Sequence, residues 1–346
     1  MSLQSLLGTE LPIVQAPMAG SQGHALAAAV SNAGGLGSLP CALLGLPAMR
    51  DELTALSAAT QRPINVNFFC HKPPTPDAQR EAAWRAALAP YYREFGLDPL
   101  AAANAPSRAP FSAEAAELLA QFRPAIVSFH FGLPSPDLLA HLRGWGAKVL
   151  ASATTLEEAR WLDAHGVDAI IAQGAEAGGH RGMFLSDDIT TQVGTFALLP
   201  QVVRAVTRPV IAAGGIADAS GVAAALALGA AGVQIGTAYL LCPEATTSAV
   251  HRAALQSDAS HHTALTNLFS GRPARGILNR LMRELGPMSN LAPAFPLASA
   301  AIAPLRAHAE RSGSGDFSPL WSGQNSSGCR AVSASQLTLE LAYGLR

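Results

Sequence analysis

Eight short, almost wholly apolar runs, each followed by a segment that carries the marks of a helix, limit this chain more than any other feature of its sequence. The runs occupy positions 13–18, 36–40, 64–69, 125–131, 148–153, 169–173, 209–213 and 232–236. Their hydrophobicity is continuous rather than alternating, as it is in parallel strands covered on both faces. Between them, TLEE at 155–158 reads as a capping box, with Leu156, Ala159 and Leu162 then on one face and Gly166 placed to end the helix. Asp218 is placed to cap a further helix that closes at Gly229. Eight such units predict an α/β fold of the TIM (β/α)8 type. The competitor is an open, doubly wound sheet, but no G-x-G-x-x-G joins a strand to a helix, and the nearest glycine cluster, at 34–37, precedes a strand.

A barrel of this kind needs a large core, and the composition supplies one. Only 14% of the 346 residues are charged and 49% are hydrophobic, against about 25% charged in an average soluble protein. No apolar run reaches the roughly 18 residues that a membrane span needs, and the first residues lack the pattern of a secretion signal. The expectation is a cytoplasmic protein with no membrane partner. Cys41, Cys70, Cys242 and Cys329 are far apart and form no C-x-x-C pair, so neither a disulfide framework nor a zinc site is indicated. A net charge of -1 without any Lys/Arg run gives no electrostatic reason to expect nucleic acid. The expected partner is a small molecule, with the oligomeric state, a homodimer included, left open.

Two regions break the repeat. Positions 71–123, between the third and fourth runs, include a charged amphipathic helix from about Asp77 to Ala89 and read as a cover over the site, with Trp84, Tyr91 and Tyr92 packing within it. Beyond Cys242 the sequence reads as mainly helical, with Ser/Gly-rich, irregular patches at 312–315 and 322–328. The expected division is a barrel over 1–242 and a smaller helical region over 243–346 that contributes to the substrate pocket.

In a barrel the C-terminal ends of the strands converge on one mouth, where the chemistry sits. Asn67, His130, Ser152 and Gln173 end the third to sixth runs. A buried amide needs a partner, a backbone group or a ligand; two amides at one mouth favour a heteroaromatic ligand with a donor and acceptor edge. The sixth run opens into QGAEAGGHRG (173–182), a glycine-rich loop that presents His180 to the mouth. AAGGIAD (212–218) and GVQIGTA (232–238) place Gly214, Gly215, Gly236 and Thr237 after the seventh and eighth runs, where barrels bind phosphate through main-chain N–H groups. A phosphate anchor plus an edge-reading amide pair suggests FMN. Schiff-base chemistry fits less well, since Lys72 and Lys148 are the only lysines and Lys148 begins a strand at the far face. The histidines show no metal-ligand spacing. His24, His141, His165, His251 and His308 read as satisfied surface residues, His71 as bonded within its own loop, and Arg181 as either a solvated partner of Glu176 or Asp187 or a substrate contact.

Six ordered motifs, QAPMAG (15–20), NVNFFCHKPP (65–74), SFHFGLP (128–134), the GGH loop, AAGGIAD and GVQIGTA, together resemble the class I nitronate monooxygenases, with LWSGQ (320–324) as a further match. The GGH loop is also similar to that of FMN-dependent enoyl-acyl-carrier-protein reductases; the CHKPP and SFHFG segments favour the nitronate enzymes. The resemblance implies FMN held by Asn67, Gln173, Gly178, Gly215 and Gln234, Ile235, Gly236 and Thr237, with the main chain of Ala16, Pro17 and Met18 beside the ring; Gly179 and Gly214 join these cofactor candidates from their places in the glycine-rich loops. It implies His180 as the catalytic histidine and His130 as a substrate-pocket residue, with Ser152 beside it. The implied reaction is oxidation of an anionic alkyl nitronate by O2 to a carbonyl compound and nitrite, through one-electron transfer to the flavin. A Tyr and Lys expected for a carboxylate-bearing substrate such as propionate 3-nitronate have no counterpart in the Ala-rich stretch 298–311. The alternatives are an NAD(P)H-dependent enoyl reductase and, outside redox chemistry, a phosphate-binding lyase or isomerase or a flavin-storage barrel. An ordinary histidine pKa near neutrality would let His180 act as a base or stabilise the anion.

Overall fold

The computed structural model describes residues 2–99 and 108–345, so positions 100–107 of the expected cover lie outside the described residues. In chain order the strands are β1 Ile13–Gln15, β2 Gly37–Pro40, β3 Ile64–Phe69, β4 Ile126–His130, β5 Lys148–Ala153, β6 Ala169–Gln173, β7 Gly179–His180, β8 Val210–Ala213, β9 Gly232–Ile235, β10 Thr263–Thr266 and β11 Ala274–Ile277. Eight of them form one parallel sheet in the order β1-β9-β8-β6-β5-β4-β3-β2. The two edges meet, because Gln15 donates its N–H to Leu36 O at 2.9 Å and Leu36 donates to Ile13 O at 2.8 Å. The sheet thereby closes into the predicted TIM barrel, and each apolar run supplies one of its strands.

Burial on both faces explains the continuous hydrophobicity. Val14, Ile126, Leu150, Ile171 and Ile211 fill the interior together with Leu3 and Leu7 of the opening helix Leu3–Leu7. Leu142, Leu162, Leu199, Val202 and Val222 come from the surrounding helices and pack on the other face, each fully buried. Burial of each such side chain contributes about 1.5 to 3 kcal/mol. The helix starts follow the sequence in part. Asp218 accepts from Gly221 N at 2.8 Å, and Thr155 accepts from Glu158 N at 3.2 Å. The Glu158 carboxylate, however, does not turn back to Thr155. It accepts from both N–H and hydroxyl of Thr154 at 2.7 Å and from Phe184 N at 2.5 Å, tying the segment after β7 to the barrel rim.

The region after β9 departs from the helical expectation. It contains the antiparallel pair β10 and β11, and β11 pairs in turn with β7, placing Ala274 opposite His180 and Arg275 opposite Gly179. Their sequences, TALT and ARGI, mix polar and apolar residues and form no continuous apolar run of the kind that marks the barrel strands. Helix Ala298–Arg311 packs against helix Ala78–Glu94 of the insertion, where Trp84 Nε1 donates to Ala298 O at 3.2 Å and the Tyr92 hydroxyl to Ala301 O at 2.7 Å. The aromatic residues of the insertion are thus packing residues. The last helix, Ala334–Leu341, returns to the barrel wall against helices His24–Asn32 and Ala219–Ala227, the place an eighth barrel helix occupies. Among the described residues no helix is long and apolar enough to cross a membrane.

Candidate active site

A single cleft at the C-terminal ends of the barrel strands is lined by every residue singled out from the sequence as a site candidate. Ala16, Pro17 and Met18 come from the end of β1, Asn67 from β3, His130 from β4, Ser152 from β5 and Gln173 from β6. Gly178, Gly179 and His180 follow from the glycine loop, Gly214 and Gly215 from the turn after β8, and Gln234, Ile235, Gly236 and Thr237 from β9 and its exit. Its volume, counted with the open solvent at its mouth, is about 1330 Å³.

One end of the cleft is built from main chain. Gly215, in the cleft wall, has φ +73°, a left-handed conformation that glycine adopts at little cost. A Cβ at Gly178 would stand 2.6 Å from Gly323 N and 2.7 Å from Ser322 C, so the 322–323 backbone packs directly on the glycine loop. Among the described residues, the N–H groups of Gly215, Gly236 and Thr237 make no hydrogen bond. Gln234 Oε1 is buried without a partner. An unpaired buried amide oxygen costs about 1 to 3 kcal/mol, so this acceptor and these donors fit a ligand carrying a phosphate and an N–H edge. A flavin mononucleotide has both.

The other end holds the imidazoles. His180 Nε2 lies 2.9 Å from Ser270 Oγ, and His130 Nε2 donates to His180 O at 3.0 Å. Gln173 uses both ends of its amide on the same loop: Nε2 donates to His180 O at 3.0 Å and Oε1 accepts from Gly182 N at 2.8 Å. Asn67 Nδ2 donates to Ser128 Oγ at 2.9 Å. Both amides thus brace the mouth, Gln173 with both ends and Asn67 with its Nδ2 alone, and Gln234 Oε1 is a buried cleft acceptor with no protein partner. Phe131 sits in the left-handed region at φ +69°, a strained conformation for a bulky residue, and packs with Phe69 and Phe295 into an aromatic floor. The Arg272 guanidinium lies 4.3 Å above the Phe131 ring.

The electrostatics of the cleft are set by burial and by nearby cations. Burial, reinforced by Arg108, His130, Arg272 and His71, holds His180 well below the usual imidazole range. Burial likewise brings His130 and His71 down to about 4. His180 is thus neutral at neutral pH, which corrects the expectation of a near-neutral pKa. It can act as a base or as a neutral hydrogen-bonding group, and it carries no resident charge with which to stabilise an anion. Among the described residues no carboxylate lines the cleft.

Three further readings change. Arg181 is fully buried and not a solvated partner of Glu176 or Asp187; it donates to Gly174 O at 2.6 Å, Gln173 O at 2.7 Å and Gln192 Oε1 at 2.9 Å. His251, expected at the surface, is buried and bonds Trp321 O at 3.1 Å. The patch at 322–328 is built into the site: Gly323 N donates to Thr237 Oγ1 at 2.9 Å and Asn325 Nδ2 to Gly215 O at 2.9 Å. Ser270, Arg108 and Asn325 were not anticipated, because nothing local in their sequence marks them. Trp321 carried a signal in LWSGQ.

The family model for nitronate monooxygenase matches residues 1–344. The chain is 44% identical to a nitronate monooxygenase of Paraburkholderia phytofirmans, over 100% of this chain and 95% of the relative. It is 42% identical to one of Pseudomonas aeruginosa, over 99% and 98%. Among solved structures, nitroalkane oxidase from Streptomyces ansochromogenes superposes with a TM-score of 0.90 at 39% identity, covering 100% of this chain and 98% of that one. FabK from Thermotoga maritima superposes at 0.74 with 26% identity, covering 99% and 94%. These relatives define the chain as an oxidoreductase. The chain belongs to the nitronate monooxygenase family.

Proposed function

We propose that the protein binds FMN and oxidises alkyl nitronates with O2 to a carbonyl compound and nitrite. The observation that carries this reading is the pairing, in one cleft, of unengaged main-chain donors and the Gln234 acceptor with a neutral, oriented His180. The main chain at Gly214, Gly215, Gly236 and Thr237 would hold the phosphate, and Gln234 the ring edge, with Ala16, Pro17 and Met18 beside it. Asn67, Gln173, Gly178, Gly179 and Ile235 shape the remaining wall. When bound, the flavin supplies one-electron chemistry.

The residues of the chain supply the rest. Phe69, Phe131 and Phe295 exclude water from the substrate end, which strengthens every electrostatic contact there. His130 spends Nε2–H on His180 O and so fixes the loop while presenting its ring to the pocket, next to Ser152. His180 is the proton acceptor when the substrate arrives as the neutral nitroalkane. Residues 1–242 are the flavin-binding barrel in this reading. Residues 243–346 complete the pocket through Ser270 and Trp321, their last helix packing back on the barrel. Propionate 3-nitronate is one member of the substrate class to include in a panel.

The test is a visible spectrum of the purified protein followed by an aerobic nitrite assay over short nitronates. A flavin spectrum, nitrite release without NAD(P)H, and an anaerobic flavin that NADH does not bleach are expected. Rapid bleaching by NADH with no nitrite release would move the protein to the enoyl reductases. In His180→Asn, nitrite release is expected to fall by about 10²- to 10⁴-fold with flavin content retained; loss of flavin with no separate loss of turnover would place His180 among the cofactor contacts.

A further inference from the structure

The cleft contains one charge that neither the cradle nor the imidazoles explain. Arg108, in the insertion after β3, is the only cationic side chain among the described residues lining the cleft. Its guanidinium carbon lies 5.9 Å from the centre of the Phe295 ring, and the His180 ring lies 5.3 Å from the same centre. The two groups therefore flank one aromatic wall. Among the described residues the guanidinium has no carboxylate or hydrogen-bond partner, and the charged group acting on it is another cation, Arg306. The neighbouring stretch 100–107 contains no Asp or Glu.

A half-buried guanidinium is normally held by a carboxylate or by several carbonyls, since desolvating it unpaired is costly. Arg181 and Arg252 in this same chain obey that rule, each with its guanidinium on carbonyl oxygens. Arg108 does not. Its planar fork matches a planar, two-oxygen anion.

We propose that Arg108 is the specificity-determining residue that pairs with the negative nitro group of the substrate, so that the site selects a nitronate over its neutral nitroalkane. This rests on the nitronate reading above and names the group that recognises the charge. A cation in the first contact, and a neutral imidazole behind it, bind the anion without protonating it.

The experiment compares wild-type holoenzyme with Arg108→Gln and Arg108→Lys. Three measurements are made: steady-state kinetics on an alkyl nitronate and on its parent nitroalkane, binding of nitrate by calorimetry, and flavin content. Nitrate serves as the probe because it is a planar anion of the same shape as the nitronate head. In Arg108→Gln the KM for the nitronate and the Kd for nitrate are expected to rise about 10- to 100-fold, with flavin content unchanged and the KM for the neutral nitroalkane little affected. Arg108→Lys should recover part of the loss. The acid limb of kcat/KM should move to higher pH in Arg108→Gln, because His180 loses one of the two guanidinium charges, Arg108 and Arg272, that depress it. Unchanged nitronate KM and nitrate Kd would overturn the assignment, as would a loss confined to nitronates that carry a second, carboxylate charge. If wild-type protein releases no nitrite from any nitronate, the proposed activity fails on its own, and the nitrate titration still decides the role of Arg108.

Discussion

His180 and Ser270 are 2.9 Å apart, Nε2 to Oγ, although ninety positions separate them along the chain. The Ser270 hydroxyl is itself 3.3 Å from Arg272 O, to which it can only donate. The oxygen accepts from Arg272 N at 3.4 Å, and its other lone pair is left for an Nε2–H of His180, so that Nδ1 becomes the basic nitrogen of the ring. The tautomer of the candidate catalytic imidazole is thus set from the region after β9.

Ser270→Ala is expected to leave the fold and flavin content intact while lowering kcat about 3- to 30-fold. The ring loses one hydrogen bond, worth about 1 kcal/mol, together with its fixed tautomer. Rapid-mixing kinetics at saturating nitronate read this directly, and Ser270→Thr should restore most of the rate.

Gly178→Ala is expected to weaken flavin binding by at least about tenfold. The added methyl meets backbone atoms of 322–323 rather than a flexible side-chain tip, so the two loops must separate. Flavin fluorescence released on dilution measures the change. Ser322→Gly, which leaves the loop backbone free to move, should recover part of it.

Arg181→Lys should destabilise the protein by about 2 to 4 kcal/mol, despite keeping the charge. A lysine cannot reproduce the fork that reaches Gly174 O, Gln173 O and Gln192 Oε1 at once, and buried carbonyls lose their donors. Urea unfolding followed by tryptophan fluorescence is the measurement; an unchanged midpoint contradicts the role assigned to Arg181.

Acid should destabilise the fold through its buried histidines. His71 and His251 are brought to about 4 by burial, against an ordinary value of 6.5. The unfolded chain therefore takes up more protons than the folded one between pH 6.5 and 4. Stability is fully present above that window and falls as pH falls through it, by about 3 kcal/mol for each histidine at the lower end. Unfolding midpoints at pH 7.5, 5.5 and 4.5 test this, and His251→Phe should flatten the dependence.

The barrel was legible because a parallel strand buried on both faces leaves an unbroken apolar run, and every run became a strand. The cleft was legible for a related reason: residues at strand ends converge whatever the intervening helices contain, so Asn67, His130, Ser152, Gln173 and His180 could be placed together from order alone. Ser270, Arg108 and Asn325 were hidden because their roles depend on contacts across tens of residues. The burial of Arg181 was hidden as well. An arginine beside a histidine in a glycine-rich loop looks the same on paper whether its fork meets solvent or the carbonyls of Gln173 and Gly174. His180 gave away its position but not its proton affinity, which depends on cations contributed by other segments.

The three-stranded seam of β7, β11 and β10 has an evolutionary corollary. Because the excursion that carries Ser270, Arg275 and Trp321 is anchored to the barrel at both of its ends, substitutions or length changes within it, ahead of the 322–328 stretch that packs on the cofactor cradle, can re-aim the imidazole and reshape the substrate end while that cradle keeps its geometry. Diversification of substrate preference among proteins of this architecture should accordingly concentrate between the eighth barrel strand and the final helix.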